Sequence, residues 1–393
     1  MANSTITALV PKILSRGLLA LRENAVMPRL VNRSIGDDAR EKGDTIDIPL
    51  SASAVTRSVT PAVTQAANVA YTPTKVQLPL DQWKEVPFHL TDKQLAEIDA
   101  DNDFIPMQVS EAVKALANGI DSFILGKYTG IWNYSGTAGT TPFATNLNVF
   151  RDARKYLNKD LAPLPDRRCV LDEDAEANAL VLAQFLEADK RGDQGGMISG
   201  EIGMKLGAQW FLDQNVPSHT AGTWAITGLG RTEVKATATA GTSTMIWQGN
   251  SSTVTNGGNV LVGDIFTVTG DSQAYVVKSG SSVAVGAQAT LLITFKPVLR
   301  ATIAAAATVD FKATHVVNLA FHRDAFAFAS RPLADSSVLG SRLGSEFSTM
   351  IDPVSGIALR LEVNRQYKQT TWAFDSLYGA VLVRPELAAR IAG

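Results

Sequence analysis

Ser355-Gly-Ile-Ala-Leu-Arg-Leu-Glu-Val363 and Trp372-Ala-Phe-Asp-Ser-Leu-Tyr-Gly-Ala380, with the run Val381-Leu-Val-Arg-Pro-Glu-Leu387 that follows, decide how this chain is to be read. Over 357–363 the residues alternate. Ile357, Leu359, Leu361 and Val363 fall on one side, Ala358, Arg360 and Glu362 on the other. That pattern predicts a long strand with one buried face. A short apolar strand is expected over 380–383, stopped by Arg384-Pro385. Upstream, 319–333 reads Leu-Ala-Phe-His-Arg-Asp-Ala-Phe-Ala-Phe-Ala-Ser-Arg-Pro-Leu. No part of this region pairs a nucleophile with a base, spaces metal ligands or builds a phosphate loop. Its content is architectural.

The 393 residues suffice for two or three domains. With 45% hydrophobic and 19% charged residues, the composition is that of a globular protein. A net charge of −2 lacks the basic excess expected of a protein that grips nucleic acid by its phosphates. The single cysteine, Cys169, excludes an intramolecular disulfide and reads as a small buried hydrophobe. No run approaches the roughly 18 apolar residues of a membrane span. The N-terminus has no basic region of a signal peptide, so a soluble, intracellularly made chain is expected.

From the N-terminus, residues 4–27 have helical spacing, with Ile6, Leu9, Val10, Ile13, Leu18 and Leu21 on one face and Ser4 or Thr5 as the cap. Such a helix needs a surface to lie on, in its own domain or a neighbouring subunit. A strand follows, with Ile46, Ile48 and Leu50 alternating. Residues 51–74 are almost wholly Ser, Thr, Ala, Val, Gln and Pro, with Arg57 their one charge. They read as an extended excursion that orders on a partner, or as a linker. Over 76–90, Val76, Leu78, Leu80, Val86, Phe88 and Leu90 share one parity, and Pro79 and Pro87 limit the segment to an edge strand or two short strands.

A long amphipathic helix is predicted to about Tyr128, with Asp103 as its cap and Pro106 in its first turn. After a Gly/Thr/Ser-rich loop over 131–147 come a helix over 148–158, a strand over 168–171, a helix over 174–190 and a strand over 209–212. The cluster Asp172-Glu173-Asp174 suits the amides and dipole of a helix N-terminus and needs no metal. From 223 to about 312 the pattern changes to short β-rich runs. They cover 224–227, 233–239, 244–247, 265–269, 275–277, 291–295 and 298–303. Turn signals such as Asn256-Gly-Gly258 and Gly263-Asp264 separate them, and a helix is expected only in the alanines at 304–307. About ninety residues of this kind make an all-β barrel or sandwich inserted in an α/β context.

The search for chemistry fails at each motif. His89, His219, His315 and His322 form no zinc spacing. His322-Arg-Asp lacks the asparagine and glycine-rich loop of a kinase. The run 99–103 has Phe104 and Ser110 where a calcium loop needs Gly and Glu. No catalytic, cofactor-binding or metal-ligating residues are expected, and no cofactor.

Taken in order, these parts resemble the major capsid (coat) proteins of tailed bacteriophages, and among them the gene-5-type coat proteins of podoviruses with an inserted β-domain. The resemblance is carried by Lys42-Gly-Asp-Thr-Ile-Asp-Ile-Pro49, Leu116-Ala-Asn-Gly-Ile-Asp121 and Gly203-Met-Lys-Leu-Gly207 through Val216-Pro217. It continues through Gly263-Asp-Ile-Phe-Thr-Val-Thr-Gly270, His322-Arg-Asp-Ala-Phe-Ala-Phe328, Leu377-Tyr-Gly-Ala380 and Arg384-Pro-Glu386. It implies an α+β chain of the Hong Kong 97-like capsid fold. Residues 1–35 would be an N-terminal arm, 36–80 the E-loop with its flanking strands, and 81–130 a P domain with the spine helix. Residues 131–222 would begin the A domain, 223–312 would be the inserted β-domain, and 313–393 would return to complete both.

The implied function is self-assembly into hexamers and pentamers of an icosahedral head around double-stranded DNA, in a virion made in the bacterial cytoplasm. The implied partners are other copies, a scaffolding protein, a portal protein and a decoration protein, with no membrane. Ile6, Leu9 and Ile13 on the arm, Arg57 on the loop and Lys75 at its base are the expected inter-subunit contacts. With Arg57 the one charge on the loop, no Lys–Asn crosslink is expected. The other readings are an encapsulin-like nanocompartment shell, a phage tail or decoration protein, and an enzyme.

Overall fold

The computed structural model describes residues 14, 17, 21, 25–34, 45–50, 56, 59, 61, 73–93, 107–186, 202–227, 230–333 and 345–393. They belong to two compact units. One is drawn from 1–117 with 327–383, the other from 118–326 with 384–393.

Leu14, Gly17 and Leu21 are helical, and both leucines are buried. Most of the predicted N-terminal helix, Ile6, Leu9 and Ile13 included, lies outside the described residues. Strand β1 (Thr45–Leu50) pairs antiparallel with β2 (Thr74–Pro79), Ile48 opposite Val76. A second strand, β3 (Gln82–Thr91), follows at once, so the proline-limited segment resolves into two strands. Helix α1 (Met107–Leu125) ends in a 3-10 turn, Gly126–Gly130, and Val113, Leu116, Ala117, Ile120 and Ile124 form its buried face. Asp103 and Pro106 lie outside the described residues.

The predicted loop over 131–147 contains a strand, β4 (Asn133–Gly136). Helix α2 (Asn148–Lys159), strand β5 (Arg167–Leu171) and helix α3 (Glu173–Val181) come next. The continuous helix expected to 190 is interrupted at Leu182, whose backbone is extended, before a short α4 (Ala183–Leu186). Asp172 makes no side-chain capping bond, so the acidic cluster acts on α3 through charge alone. Strands β6 (Met204–Lys205) and β7 (Ala208–Leu212) form a two-residue hairpin in which Leu206 and Gly207 both have positive φ. Strand β8 is Ser218–His219.

Nine strands follow: β9 (Ala225–Ile226), β10 (Thr232–Val234), β11 (Thr244–Gly249), β12 (Thr255–Val260), β13 (Ile265–Val268), β14 (Ala274–Ser279), β15 (Ser281–Ala287), β16 (Leu291–Lys296) and β17 (Val309–Phe311). Six of them form a sheet of order β10-β11-β16-β14-β13-β17. A bridge between Glu233 and Thr308 joins its first and last strands, closing it around one core. At the centre, Trp247 meets Phe266 edge-on at 4.8 Å, and Phe295 meets Phe266 and Tyr275 at 5.5 and 5.2 Å.

Three expectations fail in this stretch. Asn256-Gly257-Gly258 is not a turn but the middle of β12, which pairs with β15 across a register shift. A Cβ on Gly257 would lie 2.5 Å from the Val285 backbone, and Gly258 has φ +116 with the Thr223 carbonyl 2.4 Å from where a Cβ would be. Glycines serve here because two backbones cross in contact. The alanines at 304–307 form a turn, with Ala306 at φ 64, because no helical neighbours supply the remaining turns. The run 298–303 contributes only an isolated bridge, Ala238 to Ile303.

The last strands are β18 (His315–His322), β19 (Phe326–Arg331), β20 (Ser345–Ile351), β21 (Ala358–Gln366), β22 (Gln369–Leu382) and β23 (Ala388–Ala392). Strands β18 and β23 complete a mixed sheet of order β4-β23-β18-β5-β7-β6, with β5–β7 and β4–β23 parallel. Helices α2 and α3 bury Phe150, Ala153, Ala175 and Ala179 in its core, where Trp210 is ringed by Phe143, Phe150 and Phe185 at 5.5, 4.6 and 5.4 Å. Cys169 is fully buried there, and desolvation raises its pKa.

In the other unit, β19, β20, β21, β22 and β3 make a five-stranded sheet. The expected one-sided burial of 357–363 is wrong. Strand β21 lies between β20 and β22, and Ala358 and Arg360 on its other face are buried, as are Leu359 and Leu361. The charge of Arg360 is met inside the sheet by Asp375, directly opposite on β22. The short strand over 380–383 is the end of the 14-residue β22.

Candidate functional site

Among the described residues, two places stand out as candidate sites. The first is the hairpin β1–β2, from which residues 51–73 depart. Its apolar side, Ile46, Ile48, Leu78 and Leu80, packs on Ala327 and Ala329. Where β2 ends it runs against β22 so closely that a Cβ on Gly379 would lie 2.0 Å from the Pro79 carbonyl oxygen. The hairpin's other side is polar. Lys75 Nζ donates to Asp47 Oδ2 at 2.7 Å and Gln77 Nε2 donates to Oδ1 at 3.1 Å, which together lower the Asp47 pKa. Both members of this ion pair are exposed, so it orients the strands without adding much stability. Beyond the hairpin, Thr56, Val59 and Pro61 are exposed, and Val59 retains 89% of its surface.

Of the residues singled out by sequence, Lys75 stands in this hairpin, and its neighbour is Asp47. Arg57, Ile6, Leu9 and Ile13 lie outside the described residues. Asp47 went unnoticed in the sequence because it is one polar residue among the alternating isoleucines of β1. Only the register with Lys75 gives it meaning.

The second place is a buried polar network where the strands of the mixed sheet meet the inserted strands. Tyr128 follows α1, His219 lies on β8 just before the insertion, and His315 opens β18 just after it. Asp264 lies in the turn before β13, and Arg390 on β23. All are buried, Asp264 and Arg390 completely. His219 Nε2 lies 2.8 Å from Asp264 Oδ1, and its Nδ1 lies 2.9 Å from the Tyr128 hydroxyl. A carboxylate only accepts, so Nε2 carries the proton and Nδ1 accepts from Tyr128.

Asp264 also receives the backbone N–H groups of Leu261, at 2.6 Å, and Gly222. Arg390 donates to the Gly263 carbonyl at 2.8 Å and lies 4.9 Å over the Tyr128 ring. Desolvation dominates the titration of the network. It lowers Arg390 to about 9 and His315 to about 4, raises Tyr134 to about 12 and raises Tyr128. The Tyr–His–Asp order resembles a proton relay, but the hydroxyl at its end is buried. What it can do is hold chain segments together. Among the described residues, no group of three or more His, Cys, Asp or Glu could hold a metal ion.

The sequence reading passed over this network. In the sequence the two histidines have no metal spacing, and Gly263-Asp264 carries only a turn signal. Its members are up to 262 residues apart, between Tyr128 and Arg390, and only pairing of the strands on either side of the insertion gathers them.

No protein-family model matches the sequence, and no curated protein matches it. Among solved structures, the chain is similar to one titled Mycobacterium phage Che8, at 16% identity and TM-score 0.50, over 93% of this chain and 90% of that one. It is similar to a capsid structure of the cyanophage P-SCSP1u at 13% identity and TM-score 0.49, over 94% and 88%. It is also similar to a virus-like particle from Pyrococcus furiosus at 7% identity and TM-score 0.43, over 96% of each chain. The likeness to the Che8 chain establishes a shared fold along nearly the whole of both chains. What the comparison shows is the fold: the chain is built like a protein of a bacteriophage.

Proposed function

We propose that this chain is the major capsid protein of a tailed phage, assembling as hexamers and pentamers into an icosahedral head around double-stranded DNA. The observation that carries this reading is the fold shared with the Che8 phage chain over 93% of the sequence. The hairpin β1–β2 supports it, since a paired two-stranded base flanks a segment with one charged residue and little apolar bulk of its own. A shell subunit needs surfaces that repeat head to tail and close into rings, and arms that add contact area on neighbours. It needs no reacting groups, and in this reading the chain is not an enzyme.

In the finer reading the fold is Hong Kong 97-like. Residues 51–75 form the E-loop, with Arg57 and Lys75 at inter-subunit contacts and Ile6, Leu9 and Ile13 on an arm that lies on a neighbour. The strands 76–90 and 357–371 with the spine helix form the P domain. Residues 131–222 with the C-terminal return form the A domain, and 223–312 the insertion. The partners are other copies of the chain, a scaffolding protein, a portal and a decoration protein, in a particle built in the bacterial cytoplasm.

Electron microscopy of the purified chain, alone and with its scaffolding partner, tests the proposal. Closed shells or five- and six-membered rings are the expected result. Monomers only, across varied salt, pH and scaffold conditions, would overturn it.

A further inference from the structure

The buried network occupies the neck of the inserted β-domain, where the chain enters at 219–222 and leaves at 313–315. Asp264 is its keystone. This one carboxylate binds the entering strand through His219 and the Gly222 amide, and binds its own turn through the Leu261 amide. The adjacent Gly263 carbonyl takes the Arg390 guanidinium from the sheet. Three segments therefore converge on two consecutive residues of the insertion.

His315 stands on the leaving strand. Its Nδ1 lies 2.8 Å from the Ala313 carbonyl, which can only accept, so that nitrogen carries the proton. Its Nε2 is then a lone-pair nitrogen, buried and without a hydrogen-bond partner. The groups that face the ring come from every packed element. They are Tyr134 on β4, edge-on at 5.4 Å, His219 on β8 at 5.4 Å, and Arg390 on β23. Among the described residues, Asp264 is the acidic group that acts on the ring, and its oxygens are already bound to His219 and to two amides. A proton on Nε2 would place a second buried positive charge beside Arg390, with a new N–H and no acceptor waiting for it. Both consequences oppose the closed arrangement.

We propose that this neck is an acid-operated latch, in which protonation of His315 unfastens the inserted β-domain from the mixed sheet while the domain itself stays folded. The domain can stay folded because its six-stranded sheet closes on its own core around Trp247, Phe266 and Phe295, which the network does not enter. The burial of His315 gives the direction of the switch: the neutral ring is the folded form, and acid opens it.

Hydrogen exchange of the full chain, followed by peptide and corrected for intrinsic rates, reads the latch between pH 6.5 and 4. The expected result is a loss of protection of about tenfold or more in peptides covering 218–223 and 259–264. Peptides covering 244–249 and 291–296 should stay protected throughout. His315→Gln keeps an N–H donor for Ala313 and a neutral acceptor, and should abolish the acid loss. Asp264→Asn, which keeps the size of the keystone but not its charge, should open the same peptides at neutral pH and leave the barrel protected. Neck protection that is flat with pH overturns the proposal. So does an acid loss that persists in His315→Gln, or barrel strands that open together with the neck.

Discussion

Arg360 and Asp375 face each other across β21 and β22, both buried, with the Arg360 Nε donating to Asp375 Oδ1 at 3.0 Å. The Trp83 indole N–H donates to the other carboxylate oxygen at 3.0 Å. Removing Asp375 takes the facing carboxylate away from a buried guanidinium. Asp375→Ala is expected to destabilise its unit by roughly 3–5 kcal/mol. Arg360→Met combined with Asp375→Leu, which removes both charges, should recover most of the loss. Urea denaturation followed by tryptophan fluorescence measures both.

At His315 the sign follows from burial. The pKa is about 4 in the fold and 6.5 in the unfolded chain, so the unfolded state binds the proton more readily. Stability is full above pH 6.5 and falls as the pH drops to about 4, by about 3 kcal/mol in all. His315→Gln should flatten that part of the pH–stability curve. A curve of unchanged slope would remove His315 from the account. Neither the pair nor the buried state of His315 could be found from sequence. Arg360 looked like the exposed half of an alternating strand, because period-two patterning cannot tell a central strand with a buried ion pair from one with a wet face.

Among the elements, those with strong local signals were legible. α2, β5, β7, β11, β13, β14 and β16 fall where periodicity and turn residues put them, within a few residues. What failed did so for physical reasons. Strand β12 reads Thr-Asn-Gly-Gly-Asn-Val, poor strand formers chosen for close backbone approach. Strand β23 reads Ala-Ala-Arg-Ile-Ala, which has no strand periodicity, yet every residue in it is buried between β4 and β18. In both, tertiary pairing overrides local preference. The hairpin base has the same dependence. Gly379→Ala would force a methyl into the Pro79 carbonyl. We expect about 1–3 kcal/mol of destabilisation and increased proteolysis within residues 51–73, with the other unit unaffected. In the insertion, Trp247→Ala should cost roughly 3–5 kcal/mol, since a fully buried indole at the centre of an aromatic cluster is replaced by a cavity. Thermal melting of the variants against wild type checks both.

For the molecule as a whole, the order of parts was more informative than any single motif. Each short run is common in proteins. Their order, from an apolar-periodic N-terminal stretch to an uncharged excursion, a long helix, a mixed α/β segment, a β-rich stretch and long terminal strands, is not. In the proposed function, segment 51–74 acts at this scale, on neighbouring copies. Deleting residues 55–72 should leave a folded monomer with unchanged circular dichroism that assembles poorly. Normal shells from that variant would remove the arm from the assembly mechanism. The most direct test of the central claim is cryo-electron microscopy of the full chain, expressed alone and together with the scaffolding protein that the proposal calls for. The account predicts closed icosahedral shells in which segment 51–74 of each copy lies on a neighbouring copy. Uniform monomers, or particles in which that segment touches no other subunit, would contradict it.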